Sequence, residues 1–311
     1  MPVPARPDHH NRSVAIRICR RALQTRPSPL LPRVTLAHAT SLNNKSLDMD
    51  HGLPCPLTIY RSYLPRRDHN DTAMLDRDAI KNGAMLTLNS EDERLGLAQL
   101  LTDKERAASK RAVLADHDSR HDIWVFGYGS LMWNPAIHFT DRRPARIFGY
   151  HRQYCLSSPV GRGTPDQPGI MLALDRGGSC HGAAYRIAAS NLHAELDILW
   201  AREMVVGTYR PAWVTIHTDV GQQAAITFVG NNRHERYVGK LPVEAIIERL
   251  ATAAGRLGSC REYLANTVSS LEALGIRNGT MHRLLQAVEA HCAEAQMERK
   301  AEHAQEGGKI A

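Results

Sequence analysis

From Ile123 onward the apolar residues fall into short β-branched and aromatic runs separated by Gly and Pro. That texture is the signature of a compact antiparallel sheet or barrel. The candidate strands are 123–128, 145–156, 170–175, 181–187, 212–218 and 223–229, with a helix at 191–203 interrupting them. After Pro242 the period becomes helical, with Val243, Ile246, Ile247 and Leu250 on one face. A second helix starts at Ser259 with Glu262 three residues on, the pattern of a capping box, and stops at Gly275. A third carries Leu284, Leu285 and Val288 and then fades into a charged tail. The expected class is α+β, strands first and helices packed against them afterwards.

A chain of 311 residues is one large domain or two small ones, and 43% apolar content is enough for a sizeable core. The longest apolar stretches are only a few residues, as in Ile170 to Leu174, against the roughly 20 needed to cross a bilayer. No membrane partner is expected. The six cysteines (Cys19, Cys55, Cys155, Cys180, Cys260, Cys292) form no CxxC pair and no regular spacing, which supports neither a zinc ribbon nor a disulfide framework. A reducing, cytoplasmic setting fits them best. The net charge of +7 raises nucleic acid as a partner. However, residues 1–47 carry eight basic side chains against the single acid Asp8, and the rest of the chain sums to zero. Basic charge confined to an irregular tail reads as solvated polypeptide, so no nucleic-acid partner is expected.

The first 120 residues differ in texture from the rest, being rich in Arg, Pro, His and Ser without a sustained apolar period. They are expected to be largely disordered. Two other readings stay open: an organellar transit peptide, and an over-extended start upstream of Met49, Met74 or Met85. Within this stretch, 89–115 has the makings of a helix or two, with Leu95, Leu97, Leu100 and Leu101 as an apolar face. The expected division is an N-terminal extension over 1–117, a folded domain over 118–300 and a polar tail over 301–311.

Two features carry candidate chemistry. The run Val125-Phe-Gly-Tyr-Gly-Ser-Leu-Met-Trp133 puts two glycines and a serine directly after a strand, where successive backbone N–H groups can converge on an anion. It is no dinucleotide fingerprint, since Met132 replaces the third glycine, and Ser130 is not in a GxSxG elbow. An ordinary tight turn is the competing reading. The second feature is Glu203, which continues the stripe of Leu192, Leu196 and Leu199 at i+11. A carboxylate on a buried face has a raised pKa suited to moving protons. The opposing reading pairs Glu203 with Arg202 or Arg210 at the surface, and pattern alone does not separate the two. No metal is expected: the sixteen histidines form no HExxH, and the best cluster, His117, His121 and Asp122, reads as solvated linker. Cys155 and Cys180 sit on strands, where a buried thiol is ordinarily inert.

The ordered succession of four motifs is more specific than any one of them. These are Val125 to Trp133, then Gly161-Arg-Gly-Thr164 with Pro168-Gly169, then Arg202-Glu-Met204 with Tyr209, and finally Glu262-Tyr-Leu264 with Thr267. Together they resemble ChaC-type γ-glutamylcyclotransferases, over residues 123 to about 288. The resemblance implies a small, mostly antiparallel β-barrel flanked by helices, and an enzyme acting on glutathione without cofactor or metal. It implies Glu203 as the catalytic acid/base and Gly129, Ser130 and Leu131 as donors to the substrate. It further implies Tyr128 lining the pocket and Tyr209 bonding the glutamyl group. Arg162, in the Gly/Pro-rich loop 161–168, is the expected contact for the C-terminal glycine, and a solvated connector is the competing reading. No obligate protein partner is implied. The rivals are a cyclotransferase for other γ-glutamyl compounds and a non-catalytic γ-glutamyl-binding module. Glutathione turnover to 5-oxoproline separates them.

Overall fold

The six expected strand runs become five strands of a closed barrel in the computed structural model, which describes residues 75–307. They are β1 (Ile123–Gly127), β2 (Asp141–Ser158), β3 (Gly169–Ile187), β4 (Tyr209–Thr218) and β5 (Gly221–Gly230), in the order β1-β3-β2-β4-β5. Every seam is antiparallel except the closing one, where β1 runs parallel to β5 through Trp124↔Ala225 and Val125↔Ile226.

The runs expected at 170–175 and 181–187 are one strand rather than two. Gly177 and Gly178 adopt φ of +95° and +68°, which bends the strand without ending it. β2 follows on both sides of the bend, pairing Tyr150 with Arg176 and Phe148 with Ser179. Ile147, Leu172, Leu174, Ile216, Ile226 and Phe228 are all at most 2% exposed and form the centre of the core. Each such side chain stabilises the fold by roughly 1.5–3 kcal/mol.

As expected, one helix, α4 (Leu192–Glu203), interrupts the strands and three follow them: α5 (Val243–Thr252), α6 (Cys260–Ala273) and α7 (Gly279–Gly307). A two-residue ribbon, β6 (Ala254–Gly255) with β7 (Gly258–Ser259), links α5 to α6. The Ser259 hydroxyl caps α6 by accepting from Glu262 N at 3.1 Å. Gly275, at φ +70°, follows the C-cap Leu274 and ends that helix. Helix α7 continues to Gly307, so much of the segment expected as a polar tail is helical.

The expectation for 1–117 needs correction over its described part. Residues 77–113 form three helices, α1 (Arg77–Lys81), α2 (Ala84–Arg94) and α3 (Asp103–Val113), the last opened by a Thr102/Glu105 capping box. They are packed against the domain. Arg77 forms a two-pronged ion pair with the buried Glu195 of α4, and Ile80 is 1% exposed. Trp200 Nε1 donates to Ser109 Oγ at 2.7 Å, and Trp213 Nε1 donates to the Val113 carbonyl at 2.7 Å. These links join residues far apart in sequence, so no local period announces them. The disorder expected before residue 75 lies outside the described residues. Among the described residues no helix is long and apolar enough to cross a membrane.

Candidate active site

The chain leaves β1 through Gly127-Tyr128-Gly129 and enters a single 3-10 turn, Ser130–Met132. Gly129 is required there by crowding: a Cβ on it would lie 2.8 Å from the Tyr263 hydroxyl of α6. The N–H groups of Ser130 and Leu131 open this turn, where the helical pattern offers them no acceptor. The Leu131 side chain is buried in the core, so only its backbone can face a ligand. Tyr128 is also buried, and its hydroxyl donates to the Phe228 carbonyl at 2.7 Å. It braces the loop from behind and is absent from the cavity wall.

Glu203 is the last residue of α4, and the chain then turns at Gly207, φ +74°, into β4 at Tyr209. The two sequence readings of Glu203 meet in one arrangement. It does pair with Arg202, Nε to Oε1 at 3.0 Å, but the pair is interior: the side chains are 6% and 12% exposed. Burial raises the Glu203 pKa above its ordinary range, and the Arg202 guanidinium offsets this only in part.

Arg202 also donates Nη2 to Ser130 Oγ at 2.9 Å and Nη1 to the Asn134 carbonyl. One guanidinium thereby ties both ends of the glycine turn to the carboxylate. Sequence reasoning took Arg202 as part of the Arg202-Glu-Met204 motif and as a surface partner of Glu203 but gave it no role in the site, and its adjacency to Glu203 was the available signal.

These groups face a cavity of about 140 Å³. Ser130, Trp133, Arg162, Glu203, Tyr209 and Tyr263 are on its wall. Tyr209 donates its hydroxyl to the Leu172 carbonyl at 2.9 Å, and burial holds its pKa well above the ordinary value. Burial likewise pushes Tyr263 up to about 12, so it keeps its proton at neutral pH and can donate it. Arg162 is 7% exposed rather than a solvated connector. It donates Nη1 to the Ser259 carbonyl at 3.0 Å and lies 4.9 Å from the Tyr263 ring centroid. Its loop is tight, since a Cβ on Gly163 would sit 2.1 Å from Gly169 N.

Tyr263 and a second buried ion pair on the same wall, Asp92 with Arg236, were not picked out as site residues from the sequence. Asp92 and Arg236 are 144 positions apart and follow no motif.

A larger groove of about 740 Å³ lies elsewhere, lined by His117, Arg120, His121 and Trp213. It is open and contains neither the glycine turn nor Glu203, so size does not mark the site here. His117 and His121 are in a turn rather than on a helix, with His117 Nε2 3.1 Å from the His121 carbonyl. Among the described residues no three His, Cys, Asp or Glu side chains are grouped to hold a metal.

Residues 123–291, which contain the barrel, the glycine turn and Glu203, match the family described as ChaC-like protein. The chain belongs to this family. Among ChaC-like relatives, the glutathione-specific γ-glutamylcyclotransferase of Escherichia coli K12 is 39% identical over 222 residues, covering 71% of this chain and 95% of that protein. That share exceeds what 123–291 occupies, so the likeness reaches outside the matched range. Mouse glutathione-specific γ-glutamylcyclotransferase 1 is 31% identical over 158 residues, 49% of this chain and 71% of that protein. In fold, the chain is similar to a γ-glutamyl cyclotransferase specific to glutathione from yeast, with a TM-score of 0.50. That structure is 23% identical, and the match covers 54% of this chain and 96% of the yeast chain.

Proposed function

We propose that this protein is a glutathione-specific γ-glutamylcyclotransferase. The observation that carries the reading is a buried carboxylate with a raised pKa, held by Arg202 against a glycine turn in one cavity. It is supported by the names of the relatives above.

In this reading the γ-glutamyl group lies along Gly129 to Leu131, with the Ser130 and Leu131 N–H groups directed to its α-carboxylate. Glu203, ionised, takes a proton from the α-ammonium. The freed amine nitrogen attacks the γ-carbonyl carbon, and a five-membered lactam forms as the amide bond to cysteine breaks. Glu203 delivers that proton to the departing cysteine nitrogen and relays to the same amine the second proton that the ring nitrogen loses on becoming the lactam N–H, so the carboxylate ends as it began. The products are 5-oxoproline and Cys-Gly. Because attack is intramolecular, the protein's task is to fold the glutamyl chain and stabilise the developing oxyanion. The protonated Tyr263 hydroxyl is the donor on hand, while Tyr209, whose proton goes to the Leu172 carbonyl, offers the glutamyl group an acceptor oxygen. Tyr128 supports the turn from the core side, and Arg162 packs beside the Cys-Gly half. The chemistry calls on no cofactor or metal. We place it in the cytoplasm, consistent with Cys155, Cys180, Cys260 and Cys292 being free thiols.

The test is incubation of the full chain with reduced glutathione and with γ-glutamyl-alanine, following 5-oxoproline. The reading expects release from both with a clear preference for glutathione, because contacts to the Cys-Gly half lower the barrier as well as KM. No 5-oxoproline from the folded protein refutes the activity, and no preference refutes the glutathione assignment.

A further inference from the structure

The cavity wall carries three guanidiniums, Arg162, Arg202 and Arg236, against two carboxylates, Asp92 and Glu203. Arg202 is committed to Glu203, Ser130 and Asn134. Arg162 has Nη1 on the Ser259 carbonyl and its face towards Tyr263. Arg236 is different. Its side chain is 9% exposed and its Nη2 is 2.7 Å from Asp92 Oδ2. Yet Nε and Nη2 of Arg236, and Oδ1 of Asp92, are buried without a well-aligned hydrogen bond among the described residues. A guanidinium on the cavity wall whose donors are not all used within the chain has capacity for a further acceptor.

The backbone around Arg236 is fixed, so this geometry is not that of a loose loop. Its carbonyl accepts from Ser157 N at 2.8 Å, beside the end of β2, and its N–H donates to His234 Nδ1 at 3.1 Å. His234 Nε2 in turn is 2.7 Å from the Val206 carbonyl, three residues beyond Glu203. Asp92 comes from α2, and the neighbouring Glu91 pairs with Arg256 at the β6–β7 ribbon. Two acids of one helix are thereby clamped to two arginines of the domain, and α2 forms one wall of the cavity.

We infer that Arg236 binds the carboxylate at the end of the substrate remote from the γ-glutamyl group, with Asp92 as the residue that positions it. This rests on the reading of the protein as a glutathione cyclotransferase. It makes α2, which precedes the barrel, part of substrate selection. A planar guanidinium matches a carboxylate in two-pronged fashion, and desolvation strengthens that bond.

The experiment compares glutathione with its C-terminal glycine amide, which keeps the shape and removes one charge. The full chain is used as wild type, Arg236→Gln, Arg236→Lys, Arg162→Ala and Asp92→Asn, each checked for an unchanged unfolding transition. Wild type is expected to prefer glutathione over the amide by about 10- to 100-fold in kcat/KM, the usual range for a charge-assisted hydrogen bond. Arg236→Gln is expected to remove that preference by losing activity on glutathione alone, and Arg236→Lys to restore part of it. Asp92→Asn is expected to raise KM for glutathione more than it lowers kcat and to leave the amide unaffected. Arg162→Ala is expected to keep the preference whatever its overall activity.

Equal losses on both substrates in Arg236→Gln overturn the inference, as does wild type that fails to discriminate, or a preference abolished in Arg162→Ala instead. Should Arg236→Gln fail to fold, Arg236→Lys and Asp92→Asn carry the same comparison. Wild type that forms no 5-oxoproline from either compound refutes the cyclotransferase reading itself, an outcome distinct from turnover without discrimination.

Discussion

Replacing Glu203 with Gln separates the chemistry of this carboxylate from its packing. Glutamine has nearly the same volume and keeps an oxygen for Arg202 Nε, now 3.0 Å from Glu203 Oε1, but it cannot take up the substrate proton. A positioned acid/base contributes about 100- to 10,000-fold, equivalent to about 3–5 kcal/mol in the barrier. The expected result in a 5-oxoproline assay is a kcat lowered by that factor with KM changed less than about threefold. Stability provides a second, independent readout. Burial lifts the folded-state pKa of Glu203 above its ordinary 4.5, so the folded protein holds this proton more tightly than the unfolded chain. Its contribution is fully present below the unfolded value and is lost as pH rises through the folded one. Glutamine has no such titration. Glu203→Gln is therefore expected to gain stability relative to wild type between pH 4.5 and 7, measured by urea unfolding at both ends. The same shift sets the acid limb of kcat/KM in wild type above pH 4.5. Retention of more than about a tenth of wild-type kcat refutes the catalytic role, and a relative stability that falls as pH rises refutes the account of its burial.

Arg77→Met leaves Glu195, 2% exposed, without its counter-ion, and breaking such a pair costs about 3 kcal/mol, near the low end because Arg77 is itself 26% exposed. That predicts a Tm lower by about 6–12 °C in a thermal melt, and a chain started at Asp118 is expected to be insoluble; a drop below about 2 °C would show the pair to be dispensable. Gly129→Ala is expected to lower kcat/KM by at least about tenfold in the same 5-oxoproline assay, because its Cβ lies 2.8 Å from a Tyr263 hydroxyl set between Trp133 and Tyr154. Activity is expected to survive exhaustive chelation, since proton transfer and hydrogen bonds suffice for lactam closure; loss that is reversed by added zinc or manganese would contradict this.

The strand runs were legible because each is a β-branched or aromatic segment bounded by Gly or Pro, and α4 was legible from a leucine stripe of period 3.6. Glu203 was legible as the polar residue on that stripe. Glu195, more deeply buried on the same helix at i+3 from Leu192, was passed over, its partner Arg77 being 118 residues away. The continuity of β3 was hidden for a related reason: Gly177-Gly178 reads as a turn, and only the partner strand decides that it is a bend. Helices α1 to α3 were underestimated since α3 has a capping box but buries no residue fully. Its tie to the domain is through Lys110, Ser109 and the Val113 carbonyl, contacts that no local pattern encodes. Arg236 and Asp92 belong to this class as well. What escaped the sequence is long-range polar pairing.

The parallel seam between the first and last strands of the barrel has a consequence for synthesis of the chain. Tyr128 meets its acceptor on Phe228 100 residues later, and Thr227 Oγ1 reaches back to the Phe126 carbonyl across 101. At translation rates of about 5–20 residues per second, β1 waits roughly 5–20 s for the strand that closes it. During that interval Val125 and Phe126, fully buried once folded, have only the β3 side of their sheet. Residues on either side of the closure, Glu203 before it and Arg236 and Tyr263 after it, share one cavity. No nascent intermediate lacking the C-terminal helices therefore contains the site, and a ribosome-bound chain stays catalytically silent until α6 has emerged.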